Sequence, residues 1–129
     1  MDLHLSTDVL DSLQEIHDSC SKLGVIINDI ESFDKELHAW QTNGKEGAHV
    51  LNMVKMMAED GGVSIAAAKR ICYVLARELE FEHEQLVAKR KAEPDGRDES
   101  LNRYLYAIGC AIGGNEAWSQ TTARYHQVW

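Results

Sequence analysis

Asn28, Ser32 and Glu36 stand at two intervals of four in the stretch VIINDIESFDKELHAW, residues 25–40. On a helix of 3.6 residues per turn, four positions advance about 40° past a full turn. The three side chains therefore stack as a ladder of oxygens along one side. Asn and Ser are mediocre helix-interior residues, because their side chains compete for backbone hydrogen bonds. A flank whose only task was to be wet would be better served by Glu or Lys. An amide oxygen, a hydroxyl and one carboxylate suit a hard cation such as Mg²⁺, and leave coordination positions for water or for phosphate oxygens. Lys35 adds a point charge that the same phosphate could use. On these residues alone, a solvated flank with chance spacing remains the open alternative.

A second group lies in GGNEAWSQTTARYHQVW, residues 113–129. Arg124 offers a planar fork for bidentate phosphate contact, and Tyr125 a neighbouring hydroxyl donor. Trp118 either packs in the core or presents a ring face to a cation. Here too a structural role is open: a basic residue in a last helical turn suits the helix dipole, and aromatics anchor terminal helices. The other candidates are weaker. The six histidines, His4, His17, His38, His49, His83 and His126, form no ligand pair at helical spacing with a third partner. The acidic run ELEFEHE reads as a solvated helix face, and Met53, Met56 and Met57 as core packing.

The elements that must position these residues are helical throughout. The spacing predicts a first helix from near Thr7/Asp8, with an unbroken apolar seam of Val9, Leu13, Ile16, Cys20, Leu23, Ile27, Ile30, Phe33, Leu37 and Trp40. The ladder lies about 100° or more round from Leu23 and Ile27, on a flank. The loop QTNGKEG stops this helix. A second runs from about His49 to Asp60, carries Val50, Met53, Val54 and Met57, and ends at Gly61-Gly62. Ser64 caps a longer helix with a seam of Ala68, Ile71/Cys72, Leu75, Leu79 and Leu86, broken by Pro94 and Gly96 in EPDG. A fourth helix, Asp98 to Ile112, buries Leu101, Tyr104/Leu105 and Ile108 and stops at Gly113-Gly114, and Asn115 caps a last short helix, EAWSQTTARY. No segment alternates as a strand would, so the fold class is all-α, in one domain.

Composition narrows the function. A net charge of −8 disfavours nucleic acid as a partner, since phosphate backbones need Lys/Arg patches. Cys20, Cys72 and Cys110 are odd in number, widely spaced and in apolar helical contexts, which predicts reduced core thiols. With no basic and apolar leader in MDLHLSTDVL and no run long enough to span a membrane, a cytoplasmic location is expected.

NDIESFDKE matches a known pattern: Asn/Asp, Asp, an aliphatic residue, any residue, Ser/Thr, three more, then Glu. It resembles the second metal-binding motif of class I terpene synthases, and its KE ending is common in fungal sesquiterpene cyclases. In that family a terminal GN..WS....RY follows, here Gly114-Asn115, Trp118-Ser119 and Arg124-Tyr125. The intervening KRICYVLARELEFEHEQLVAKRKAEPDG is similar to the corresponding helix pair of aristolochene synthase-like enzymes. The resemblance runs from about Leu13 to Tyr125, and implies that residues 1–129 are the C-terminal portion of a single terpene synthase domain, a partial class I helical bundle.

The resemblance also implies a role for each matching residue. Asn28, Ser32 and Glu36 would chelate one Mg²⁺ that bridges to the substrate diphosphate. Lys35, Arg124 and Tyr125 would donate to that diphosphate. Trp118, the catalytic aromatic, would line the pocket and stabilise carbocations through its ring. The implied reaction is ionisation of farnesyl diphosphate and cyclisation to a sesquiterpene hydrocarbon. QTNGKEG sits where relatives have a segment that orders when the site closes. The sequence departs from the family in having no two adjacent aspartates, and so no DDxxD motif for the other Mg²⁺ ions. It has no upstream arginine for diphosphate, and Ala111 stands where many fungal relatives carry an aromatic. The expectation is a chain inactive alone, completed by a missing N-terminal half or by association with its own kind. The other class of function is a non-catalytic helical interaction protein derived from a cyclase, docking a partner on uncovered apolar faces.

Overall fold

A computed structural model describes residues 4–43 and 51–126. Five helices follow in order: α1 Thr7–Asp11, α2 Gln14–Asn43, α3 Met53–Gly61, α4 Ile65–Lys91 and α5 Glu99–Thr121. No strand occurs among the described residues. The expected loop glycines Gly44 and Gly47, together with His49 and Val50, lie outside the described residues.

The 30-residue α2, about 45 Å long, is the spine against which α3, α4 and α5 pack. Its expected seam is the core line: Leu13, Ile16, Leu23, Ile27, Ile30 and Phe33 are all buried. Ile26, absent from that seam, is buried as well, because α3 and α4 cover a broader face than one neighbour would. Burying side chains of this size contributes about 1.5–3 kcal/mol each. Trp40 is instead exposed, with the Lys55 ammonium 5.6 Å from its ring centroid. A second cluster joins Leu13 and Ile16 to Leu101 and Leu105 of α5.

Several expected boundaries move. Ser6 caps α1, its hydroxyl accepting from Val9 N–H, in place of Thr7 or Asp8. The first helix is also interrupted at Ser12-Leu13, where the Ser12 hydroxyl donates to the Val9 carbonyl at 2.6 Å. That is the backbone competition expected of serine. Asn52 caps α3, three residues after the expected start, and Gly62, at φ 61°, ends it as foreseen.

On α4 the buried line is Ala68, Cys72, Ala76, His83 and Arg90, while Ile71 and Leu75 are exposed. Small side chains let α4 lie close against the branched residues of α2. The largest correction concerns α5, which runs straight through Gly113-Gly114 and absorbs the expected last helix. A Gly costs only about 1 kcal/mol in a helix interior. Beyond the pair, Glu116 takes an ion pair from Arg77 at 2.7 Å and ties the continuation to α4.

Two packing expectations also fail. Met53 and Met57 pack on the core as expected, but Met56 is exposed. Cys72 is buried and Cys20 half-buried, whereas Cys110 lies on the exposed side of α5. Burial pushes the thiols of Cys20 and Cys72 up.

Candidate metal and diphosphate site

The ladder flank of α2 is not open to solvent: α3 and the turn after α5 close over it. Asn28 and Glu36 are half-buried and Ser32 is only 3% exposed. From the C-terminal side, the Asn28 amide donates to the Tyr125 hydroxyl at 2.7 Å, across 97 positions of sequence. Further along, the Ser32 hydroxyl donates to Glu36 Oε1 at 2.5 Å. Glu36 Oε2 accepts from the Asn52 amide at 3.1 Å. Asn28 and Ser32 thus each donate to a protein partner while Glu36 accepts at both oxygens, and all three keep oxygen lone pairs: Oδ1 on Asn28, Oγ on Ser32, the carboxylate on Glu36. Such a donor set fits a hard divalent cation. Among the described residues no three His, Cys, Asp or Glu side chains gather as metal ligands. Any cation held here would therefore need the neutral oxygens.

The turn beyond α5 delivers the second group. Thr122 N–H returns to the Trp118 carbonyl at 2.8 Å and Tyr125 N–H to the Thr122 carbonyl at 3.2 Å, folding the chain back onto α2. His126 Nε2 fastens it, 3.0 Å from the Ser119 carbonyl and 3.5 Å from Glu31 Oε2. The Tyr125 ring, buried, becomes the meeting point. Trp118 packs edge-on against it at 5.7 Å, Lys35 Nζ lies 5.8 Å from its centroid, and the Arg124 guanidinium 5.9 Å. Trp118 is half-exposed and Arg124 exposed. The structure therefore brings together all seven residues singled out from the sequence, in one corner carrying two cations on an otherwise acidic chain.

Three acidic or amide groups that support the ladder were not singled out. Asn52 bridges α3 to Glu36 and to the Asp29 carbonyl. Asp29 accepts the Met53 N–H at 2.8 Å. Burial pushes the Asp29 carboxyl up; the Met53 N–H opposes that shift and the Glu36 charge adds to it. Glu31 takes the hydroxyl of Tyr73, whose own pKa is pushed up to about 12 by burial and by that carboxylate. The only sequence signal for Asn52 was its type, an Asx residue ahead of the apolar run MVKMM.

The family model for terpene synthase family 2, C-terminal metal binding, matches residues 1–80. The chain belongs to the terpene synthase family. It is 40% identical over 126 residues to an aristolochene synthase of Penicillium roqueforti, covering 98% of this chain and 37% of that relative. The aristolochene synthase of Aspergillus terreus is 39% identical over 128 residues, 99% of this chain and 40% of its own. The crystal structure of the Penicillium roqueforti enzyme superimposes with a TM-score of 0.79 at 35% identity, over 93% of this chain and 38% of that one. The all-α fold is thus that of a partial terpene synthase bundle, and the chain spans about two-fifths of the length of these relatives. No described helix is long and apolar enough to cross a membrane.

Proposed function

We propose that the chain is the C-terminal portion of a single terpene synthase domain, and that it forms one wall of the site where a sesquiterpene cyclase ionises farnesyl diphosphate. The observation that carries the reading is the Asn28–Tyr125 hydrogen bond, which joins the end of the oxygen ladder to the cationic corner. Asn28, Ser32 and Glu36 hold the metal through one amide, one hydroxyl and one carboxylate oxygen. Bound there, Mg²⁺ supplies positive charge to the diphosphate as it leaves.

The remaining roles follow from the side chains. The Tyr125 hydroxyl accepts from Asn28, so its own hydrogen is left to donate to a diphosphate oxygen. Lys35 gives a point charge and Arg124 a bidentate fork to the same group. Heterolysis of the substrate's carbon–oxygen bond sends the electron pair to diphosphate and leaves an allylic cation. The Trp118 ring then faces that cation and helps keep water from it.

One carboxylate and two neutral oxygens hold a single cation, and the sequence has no adjacent aspartates to hold more. The 129-residue chain by itself is therefore expected to release no diphosphate from farnesyl diphosphate. It should still bind Mg²⁺ with inorganic diphosphate, which calorimetry reads directly. Loss of that binding in Glu36→Gln and in Arg124→Ala supports the site. Binding unchanged in both variants would overturn it, and no binding by the parent chain would favour the interaction-protein reading. Turnover by the unaided chain would refute the expected inactivity.

A further inference from the structure

We infer that Asn52 is a positioning residue for the Glu36 carboxylate, fixing the charged member of the oxygen ladder from outside the helix that carries it. The inference rests on the metal reading of Asn28, Ser32 and Glu36. Asn52 is 1% exposed and every polar atom of its side chain is used. Its Oδ1 accepts the Val54 N–H at 2.9 Å, which caps α3 and fixes which end of the amide is oxygen. Nδ2 donates one hydrogen to the Asp29 carbonyl at 2.8 Å and points the other at Glu36 Oε2, 3.1 Å away.

Capping alone does not explain the choice of residue. Ser, Asp and Asn cap a helix about equally well, but only Asn adds neutral donors that reach a carboxylate. A second Asp at this depth would set like charge against Glu36. With Ser32 on Oε1 and Asn52 on Oε2, both carboxylate oxygens are held, one from α2 and one from the start of α3. A glutamate on its own helix face has three side-chain torsions free to turn. Held at both oxygens, it presents its remaining lone pairs in one direction, beside Asn28 and Ser32. Partners that orient a ligand in this way are commonly worth about 10–100-fold in metal affinity.

The test is Mn²⁺ titration of the full chain, read by the paramagnetic resonance signal of the free ion, with circular dichroism on the same samples. Asn52→Ser keeps a capping oxygen and loses the reach to Glu36; it should weaken Mn²⁺ about tenfold at unchanged helix content. In a Glu36→Asp background the carboxylate is shortened away from Asn52. There Asn52→Ser should cost less than about twofold, since coupled residues are not additive. Equal losses in both backgrounds would mean that Asn52 merely docks α3, and would overturn the inference. Unchanged affinity in Asn52→Ser, with Glu36→Asp weakened, would also overturn it while leaving the metal reading intact. No Mn²⁺ binding by the parent chain would remove the metal reading and the inference together. Should Asn52→Ser unfold, the side-chain amide resonance of Asn52 in the unaltered protein decides. It should move on addition of Mg²⁺ and stay still in Glu36→Asp; the same movement in both would refute the coupling.

Discussion

His83 shows how one buried polar residue sets a pH limit on the fold. It sits on the α4 line that faces α2, 6% exposed, with Nδ1 2.7 Å from the Ser19 hydroxyl. That hydroxyl donates to the Ile16 carbonyl at 2.8 Å, so the ring proton lies on Nδ1 and points at Ser19. Burial lowers the His83 pKa below 6.5, with the Glu84 charge pulling partly the other way. A lowered histidine pKa means that the folded state binds fewer protons than the unfolded chain. Its contribution is therefore whole above pH 6.5 and is lost as the pH falls below that value. Melting curves followed by circular dichroism should be flat on the neutral side and drop on the acid side. His83→Gln should shrink the drop; an unchanged acid limb in that variant would assign the effect to carboxylates instead.

At the scale of elements, the junction between α4 and α5 is held by unlike devices acting together. Arg90 at the end of α4, 5% exposed, meets both oxygens of Asp95, at 2.6 and 2.7 Å, and reaches Ser12 at 3.3 Å. The arginine beside it holds the Asp95 carboxyl below its ordinary value. Gly96 lets the chain turn hard against α4: a Cβ there would lie 2.0 Å from the Lys91 carbonyl oxygen, which is backbone and cannot step aside. Gly96→Ala should therefore destabilise the chain by about 2–3 kcal/mol, as overpacking of a filled space does. Urea unfolding would show it as a lower midpoint at unchanged slope. A midpoint equal to that of the parent would mean that the loop relaxes freely. Gly113 and Gly114 contrast with it, since beyond their chain neighbours and the backbone of α5 itself no atom lies within 4 Å of where a Cβ would stand on either. They do not stop α5, and nothing packs against them among the described residues.

For the molecule as a whole, the uncovered apolar surface is the informative feature. Val25 of α2, Val74 and Phe81 of α4, and Tyr106 and Trp118 of α5 are each at least half exposed. Scattered apolar residues are ordinary on a surface, but contiguous patches favour association. The partial span of the relatives' length and the proposed one-walled site both lead to the same expectation. The isolated chain should enhance the fluorescence of an apolar dye and should associate as its concentration rises in sedimentation. A monomer at every concentration, with no dye enhancement, would argue against a missing wall over these faces.

How far the sequence could be read depended on whether a feature was local. The α2 seam from Ile16 to Phe33, the glycine stop after α3, the Ser64 cap and the break at Pro94 follow patterns within a few residues, and these stand in the structure, whereas Trp40 at the seam's end is exposed. The oxygen ladder was legible for the same reason, since helical spacing alone stacks Asn28, Ser32 and Glu36 on one side. The course of α5 was not, because the contacts that flank the two glycines, Ile112 on the core and Glu116 on Arg77 of α4, are made between segments distant in sequence. Nor was the burial of Ser32 or the part played by Asn52. Those depend on α3 lying across α2, a contact between segments that no periodicity within either one encodes. Sequence by itself determined which side chains stand in helical register for the chemistry proposed. Tertiary structure decided that Tyr125 meets Asn28 and that Glu36 is held from both sides, because such distances exist only once the chain has folded back on itself.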